Sequence, residues 1–280
     1  MAVDNKVRGV GHEVAGHPWF HRLARVGLGA RGLLYLLIGW LALQIAFGNG
    51  GQEADRKGAL VVVADKPGGK IILWVMAIGF AALALWQFAE SRYGRPVPDG
   101  DKPRKRLSSA ARGAVYAVGC AATVAFLLGS PASSSDKQSK ALTARAMEQP
   151  GGRWLIFAVA AGFVVWGVAM LVKAARRKFL RDLKTGGMSR TAYRVVQTVG
   201  IVGHSARGLV AIAAGALFGY AAAEYQPDKA QGVDGTLREF ADTPAGPWGL
   251  VAVAIGVLIF GLYSFCEARY RKVEAVHPTR

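Results

Sequence analysis

Residues 71–86 read IILWVMAIGFAALALW, and residues 251–265 read VAVAIGVLIFGLYSF. Neither run carries a charge, and neither shows the polar stripe that a soluble helix keeps every 3.6 residues. About 20 apolar residues at a rise of 1.5 Å each cross ~30 Å of hydrocarbon. Six blocks of this kind occur: Val26–Phe47, Ile71–Ala89, Leu107–Gly129, Trp154–Val172, Val195–Ala223 and Trp248–Cys266. Gly, Ala, Val and Leu dominate them, which fits helices and not the alternating strands of a membrane barrel. The expected fold is an all-α membrane protein with six transmembrane helices. The first block follows a polar stretch too long for a signal n-region and precedes no small-residue cleavage site, so it is expected to be retained.

The rest of the chain sets direction. Of 280 residues, 35 are Lys or Arg and 18 are Asp or Glu, for a net charge of +17. Residues 1–25, the second and fourth connections and the tail hold 22 of the basic residues and eight acids. The intervening connections hold ten of each, and Arg31, Arg112 and Arg207 lie within blocks. A Lys/Arg excess on one face marks the cytoplasmic side. Both termini are therefore expected in the cytoplasm of a bacterial cell, with the chain in its inner membrane. The same excess attracts anionic lipid headgroups there. It explains the basic balance without nucleic acid, for which no recognition helix or aromatic platform stands outside the blocks.

The blocks form three copies of one hairpin. Ala30-Arg31-Gly32 returns as Ala111-Arg112-Gly113 and Ala206-Arg207-Gly208. Pro67-Gly68-Gly69 returns as Pro150-Gly151-Gly152 and Pro244-Ala245-Gly246, at 36, 38 and 37 residues from the arginine. Ten residues after the last glycine stand Gly79, Gly162 and Gly256, and eleven further on stand Glu90, Lys173 and Glu267. Such fixed offsets mark tandem repeats. Each copy has two spans, so all three point the same way and predict a pseudo-threefold bundle. The divisions expected are an amphipathic N-terminal segment (1–24), repeat 1 (25–95), a basic linker (96–105), repeat 2 (106–180), a second basic linker (181–194), repeat 3 (195–272) and a tail (273–280). A short outer helix ended by the Pro-Gly turn is expected inside each copy. Trp74, Trp154 and Trp248 open the second spans, where an aromatic belt belongs.

The arginines are the sharpest chemical feature. Each lies about 24 Å below the outer end of its helix, near the depth of Glu90 and Glu267 on the descending helices. Arg31 with Glu90, and Arg207 with Glu267, are expected to form ion pairs within or between repeats. Lys173 replaces the acid in the middle copy, which leaves Arg112 to helix carbonyls or lipid phosphate. Tyr35 and Tyr116, four residues after their arginines, are placed to stack on or hydrogen-bond a guanidinium. Gly32, Gly39, Gly79, Gly113, Gly162, Gly208, Gly215 and Gly256 recur at helical spacing and read as helix-packing positions, where small side chains let backbones approach.

Signals for chemistry are few. His17 and His21 have a metal-pair spacing without a third ligand, and His204 has no second histidine for haem ligation. Cys120 and Cys266 read as ordinary buried thiols. No nucleophile elbow, phosphate loop or intramembrane acid pair is present. The expectation is a protein without catalytic residues, cofactor or metal.

Together the repeated Ala-Arg-Gly, the Leu…Pro-x-Gly connection and the second-span Gly with its following Glu resemble a bacterial family of integral membrane proteins known only as a domain of unknown function. The resemblance runs from about Trp19 to Lys272. It implies six spans in three tandem two-helix copies and no activity; Lys173 departs from it. The leading functional expectation is a structural or accessory membrane component that binds lipid, a membrane protein partner or further copies of itself. The alternative is a permease or channel for a small anionic solute, with Arg31, Arg112 and Arg207 around its path.

Overall fold

A computed structural model describes residues 18–47, 53–93, 102–130, 134–224, 226, 229–230, 233–241 and 246–271. His12, His17, most of the first linker, Pro244, Ala245 and the 273–280 tail lie outside them. Six long helices carry the fold: α1 (Pro18–Ala46), α3 (Gly69–Tyr93), α4 (Pro103–Leu127), α6 (Gly152–Ala175), α7 (Arg190–Ala223) and α9 (Gly246–Tyr270). All six are long and apolar enough to cross a bilayer. Three short helices, α2 (Arg56–Ala64), α5 (Ser135–Met147) and α8 (Val233–Ala241), lie inside the repeats. Among the described residues the only non-helical pairing is an isolated bridge between Leu183 and Arg271.

Local chemistry sets the element ends. Asp55 caps α2 by accepting from the Gly58 amide at 3.1 Å, and Ser134 caps α5 by accepting from the Lys137 amide at 3.3 Å. Each cap satisfies a donor that the first helical turn leaves over. The chain then reverses through Gly68 (φ 75°) and Gly151 (φ 79°), in the left-handed region that suits glycine. Trp74, Trp154 and Trp248 open the second helix of each repeat and are exposed, as anchors in a headgroup layer are.

Helix packing follows the repeats but is offset by one helix. The second long helix of each copy packs on the first of the next: α3 on α4, α6 on α7, and α9 back on α1. The glycine after each arginine sits at these three contacts. A methyl on Gly32 would lie 3.0 Å from the Gly261 carbonyl oxygen, one on Gly113 2.9 Å from the Phe88 ring, and one on Gly208 2.8 Å from the Gly167 carbonyl oxygen. Gly39 and Gly215 press on Leu258 and on Ala160 in the same way. Contact this close supplies the dispersion energy that replaces a hydrophobic drive in lipid.

Contacts inside a repeat break the threefold pattern. In the first copy α1 meets α3, with Gly79 against Ala30; in the third, α7 meets α9, with Gly256 against Ala206. In the middle copy α4 and α6 hardly touch, and no atom lies within 4 Å of where a Gly162 side chain would be. In these two helices 17% of the most apolar 18-residue stretch is buried, against 44% or more in the other four. The helices thus form a ring in the order α4, α3, α1, α9, α7, α6, with a slot between its ends.

Candidate functional site

Two places gather polar side chains inside this ring. The first lies toward the end of the bundle where α1 starts and α9 finishes. Since α9 packs on α1, Glu267 faces Arg31, and Glu267 Oε2 accepts from Arg31 Nη2 at 2.5 Å. Arg31 Nε donates to Ser264 Oγ and its Nη1 to the Tyr116 hydroxyl, both at 3.2 Å. The second carboxylate oxygen of Glu267 takes Arg271 Nη1. Arg271 also approaches Glu90 at 3.8 Å and lies over the Trp86 ring, 4.2 Å from its centroid. Glu90 accepts from Ser109 Oγ at 3.1 Å. Repeat 1 contributes Arg31, Trp86 and Glu90, repeat 2 Ser109 and Tyr116, and repeat 3 Ser264, Glu267 and Arg271. Burial by itself would push the Arg271 guanidinium down; Glu267 and Glu90 outweigh it and hold the group above its ordinary value.

The expected pairing of Arg31 with Glu90 and of Arg207 with Glu267 is therefore corrected. Each expected pair shares a hairpin, whereas α9 packs on α1 and brings Glu267 to Arg31, and Glu90 meets Ser109 and Arg271. The same shift moves the tyrosines: Tyr116 serves Arg31 instead of Arg112, and Tyr35 lies under Arg207. Lys173, which takes the acid's place in repeat 2, lies within electrostatic reach of Asp182, Glu267, Arg271 and Arg31. Arg112 donates from Nε to the Ser108 carbonyl at 3.1 Å, on the slot-side helix α4. Arg271 has no counterpart in repeat 1, where Gly94 stands at its place, so repeat logic passed it over.

The second place is a cavity of about 570 Å³ on the other side of the Arg31 knot. Leu34, Ile38, Phe126, Phe163, Trp166 and Val210 give it apolar walls. Arg207 lines one end, stacked over Phe260, Tyr35 and Trp166 at 4.4, 5.0 and 5.5 Å from their centroids. Among the described residues it has no acidic or hydrogen-bonding partner. Arg56, at the start of α2, enters from the opposite end, and its Nε is buried without a hydrogen bond. Burial lowers the Arg56 pKa, against the opposing pull of Tyr35 and Asp55. Asp55 is turned toward the Gly58 amide, and Lys57 at the rim pairs with Glu53 at 3.2 Å.

Beneath Arg207 the bundle is filled by aromatic side chains. His204 is 3% exposed, sits within 5.1 Å of the Phe179 centroid and 4.9 Å of that of Tyr263, and pairs its Nδ1 with the Gly200 carbonyl at 2.8 Å. Cys120 and Cys266 are both free thiols. Among the described residues no three His, Cys, Asp or Glu side chains group as metal ligands.

Comparison with known proteins agrees with the repeat architecture. The family model described as Domain of Unknown Function (DUF1206) matches three times, over residues 26–94, 107–177 and 202–271. Over 257 residues the chain is 28% identical to the "Uncharacterized protein YxxB" of Bacillus subtilis (strain 168), covering 91% of this chain and 92% of that protein. No solved structure matches.

Proposed function

For a chain that belongs to the DUF1206 family of unknown function, we propose a structural or accessory role in the bacterial cell membrane, with both termini in the cytoplasm and anionic headgroups bound along the basic inner face. The observation that carries this reading is the cluster of Arg31, Glu267, Arg271 and Glu90, to which repeat 2 adds Ser109 and Tyr116 and which closes the last helix onto the first. A carboxylate shared by two guanidiniums and shielded from water is a fastening: freeing either partner leaves a buried charge uncompensated. A permease would need its three arginines around a common path. Arg31 is engaged by Glu267, Arg112 turns to its own helix, and Arg207 alone lines the cavity, which favours the accessory role.

The lipid part of the proposal rests on exposed bases at the inner end, among them Arg176, Lys178 and Arg181. Each such charge near an anionic leaflet contributes about 1 kcal/mol. Native mass spectrometry of the detergent-extracted chain should show more phosphatidylglycerol than phosphatidylcholine retained. Replacing the three bases by Gln should lower the phosphatidylglycerol count. A solute-dependent flux through reconstituted vesicles would overturn the accessory role.

A further inference from the structure

The cavity between Arg207 and Arg56 plays no part in fastening the repeats. Resting on the lipid-binding reading and going beyond it, we propose that this cavity is a specific site for one anionic amphiphile, an acidic headgroup on an apolar chain, which enters sideways from the bilayer through the slot between α4 and α6.

Charge is the first argument. Arg31 has Glu267, whereas Arg207 has, among the described residues, aromatic faces alone. Arg56 brings a second guanidinium with a buried, unbonded Nε into the same space. Two half-buried cations between apolar walls call for an anion, since a charge without a counter-ion in low dielectric is costly. The forked guanidinium matches phosphate and carboxylate oxygens in particular.

Shape supplies the rest. The walls between the two arginines are apolar, and about 570 Å³ falls within the ~300–1,000 Å³ usual for small-ligand sites. A free inorganic anion would leave those walls facing water; an acyl chain covers them. The route in is the contact that repeats 1 and 3 close through Gly79 and Gly256, and that repeat 2 leaves open at Gly162. Past Arg207 the bundle is filled by Phe260, Tyr263, His204 and Phe179, which stack on one another.

The test uses the full-length protein in neutral detergent, with native mass spectrometry and thermal midpoints read during titration with phosphatidylglycerol, phosphatidylcholine or inorganic phosphate. The expected result is one tightly held phosphatidylglycerol, bound at least tenfold more weakly by Arg207→Gln and by Arg56→Gln, restored by Arg207→Lys, and outcompeting phosphatidylcholine. Arg56 lies outside the spans, so its variant reports even if Arg207→Gln folds poorly. Retention unchanged in both variants, or equal binding of phosphatidylcholine, overturns the proposal. Equal stabilisation by inorganic phosphate overturns it too, in favour of a soluble anion. The Gln variant at Arg176, Lys178 and Arg181 separates the two readings. Loss of every bound lipid in that variant leaves the inner-face reading standing and sinks the cavity; retention of a single lipid supports the cavity.

Discussion

At Glu267 two guanidiniums converge on one carboxylate, from Arg31 on α1 and from Arg271 just beyond α9. Replacing Glu267 by Gln leaves both cations buried without their acid, and the expected loss is about 3–5 kcal/mol. Arg31→Ala should cost nearly as much, because it strips Glu267 of one of its two cations and takes a donor from Ser264 and Tyr116. Arg112→Ala should stay under about 1 kcal/mol, as its Nε bonds a carbonyl of its own helix and its Nη2 bonds nothing among the described residues. Thermal unfolding of the three variants in one detergent checks the order. Equal losses for Arg31→Ala and Arg112→Ala would refute the unequal roles assigned to sequence-equivalent arginines. All three residues were legible as a set in the sequence, since Ala-Arg-Gly recurs three times. Their different fates were not, because a partner is fixed by which helix lies alongside.

At the scale of the helix, glycine position matters more than glycine count. Gly256 and Gly162 are equivalent in the repeat, yet a methyl on Gly256 would fall 2.4 Å from the Ala206 Cβ while one on Gly162 meets nothing within 4 Å. Gly256→Ala must push α9 off α7 and is expected to cost about 1–3 kcal/mol. Gly162→Ala should be neutral or stabilise by up to ~1 kcal/mol through helix propensity. Midpoint shifts of opposite or clearly unequal size bear this out; equal losses would mean that α4 and α6 are packed together after all. Span number, the short helix within each copy and the Pro-Gly turns could all be read from hydropathy and spacing, which act locally. The gap in the middle copy could not. Gly162 keeps the small residue of its siblings, and only the distance between helices shows it idle.

For the whole molecule, the offset packing explains why the chain closes. Hairpins that paired only with themselves would make three separate units, whereas α3 on α4, α6 on α7 and α9 on α1 make a ring that needs its last helix to lock its first. The repeat pattern announced a pseudo-threefold body but was silent on this order, because the offsets are the same whichever neighbours pair. One departure, Lys173 for an acid, was visible beforehand; that Lys173 comes within electrostatic reach of Arg31 and Glu267 in the other two repeats was not. Cysteine cross-linking tests the closure most directly, in a chain with Cys120 and Cys266 replaced. Tyr35 and Phe260 meet across α1 and α9 with ring centroids 4.8 Å apart, so Tyr35→Cys with Phe260→Cys should be joined nearly completely by a short bis-thiosulfonate reagent. Ala111→Cys with Gly162→Cys, across the slot, should not. Efficient bonding of the second pair with none of the first would contradict the ring and place the opening between the first and last repeats.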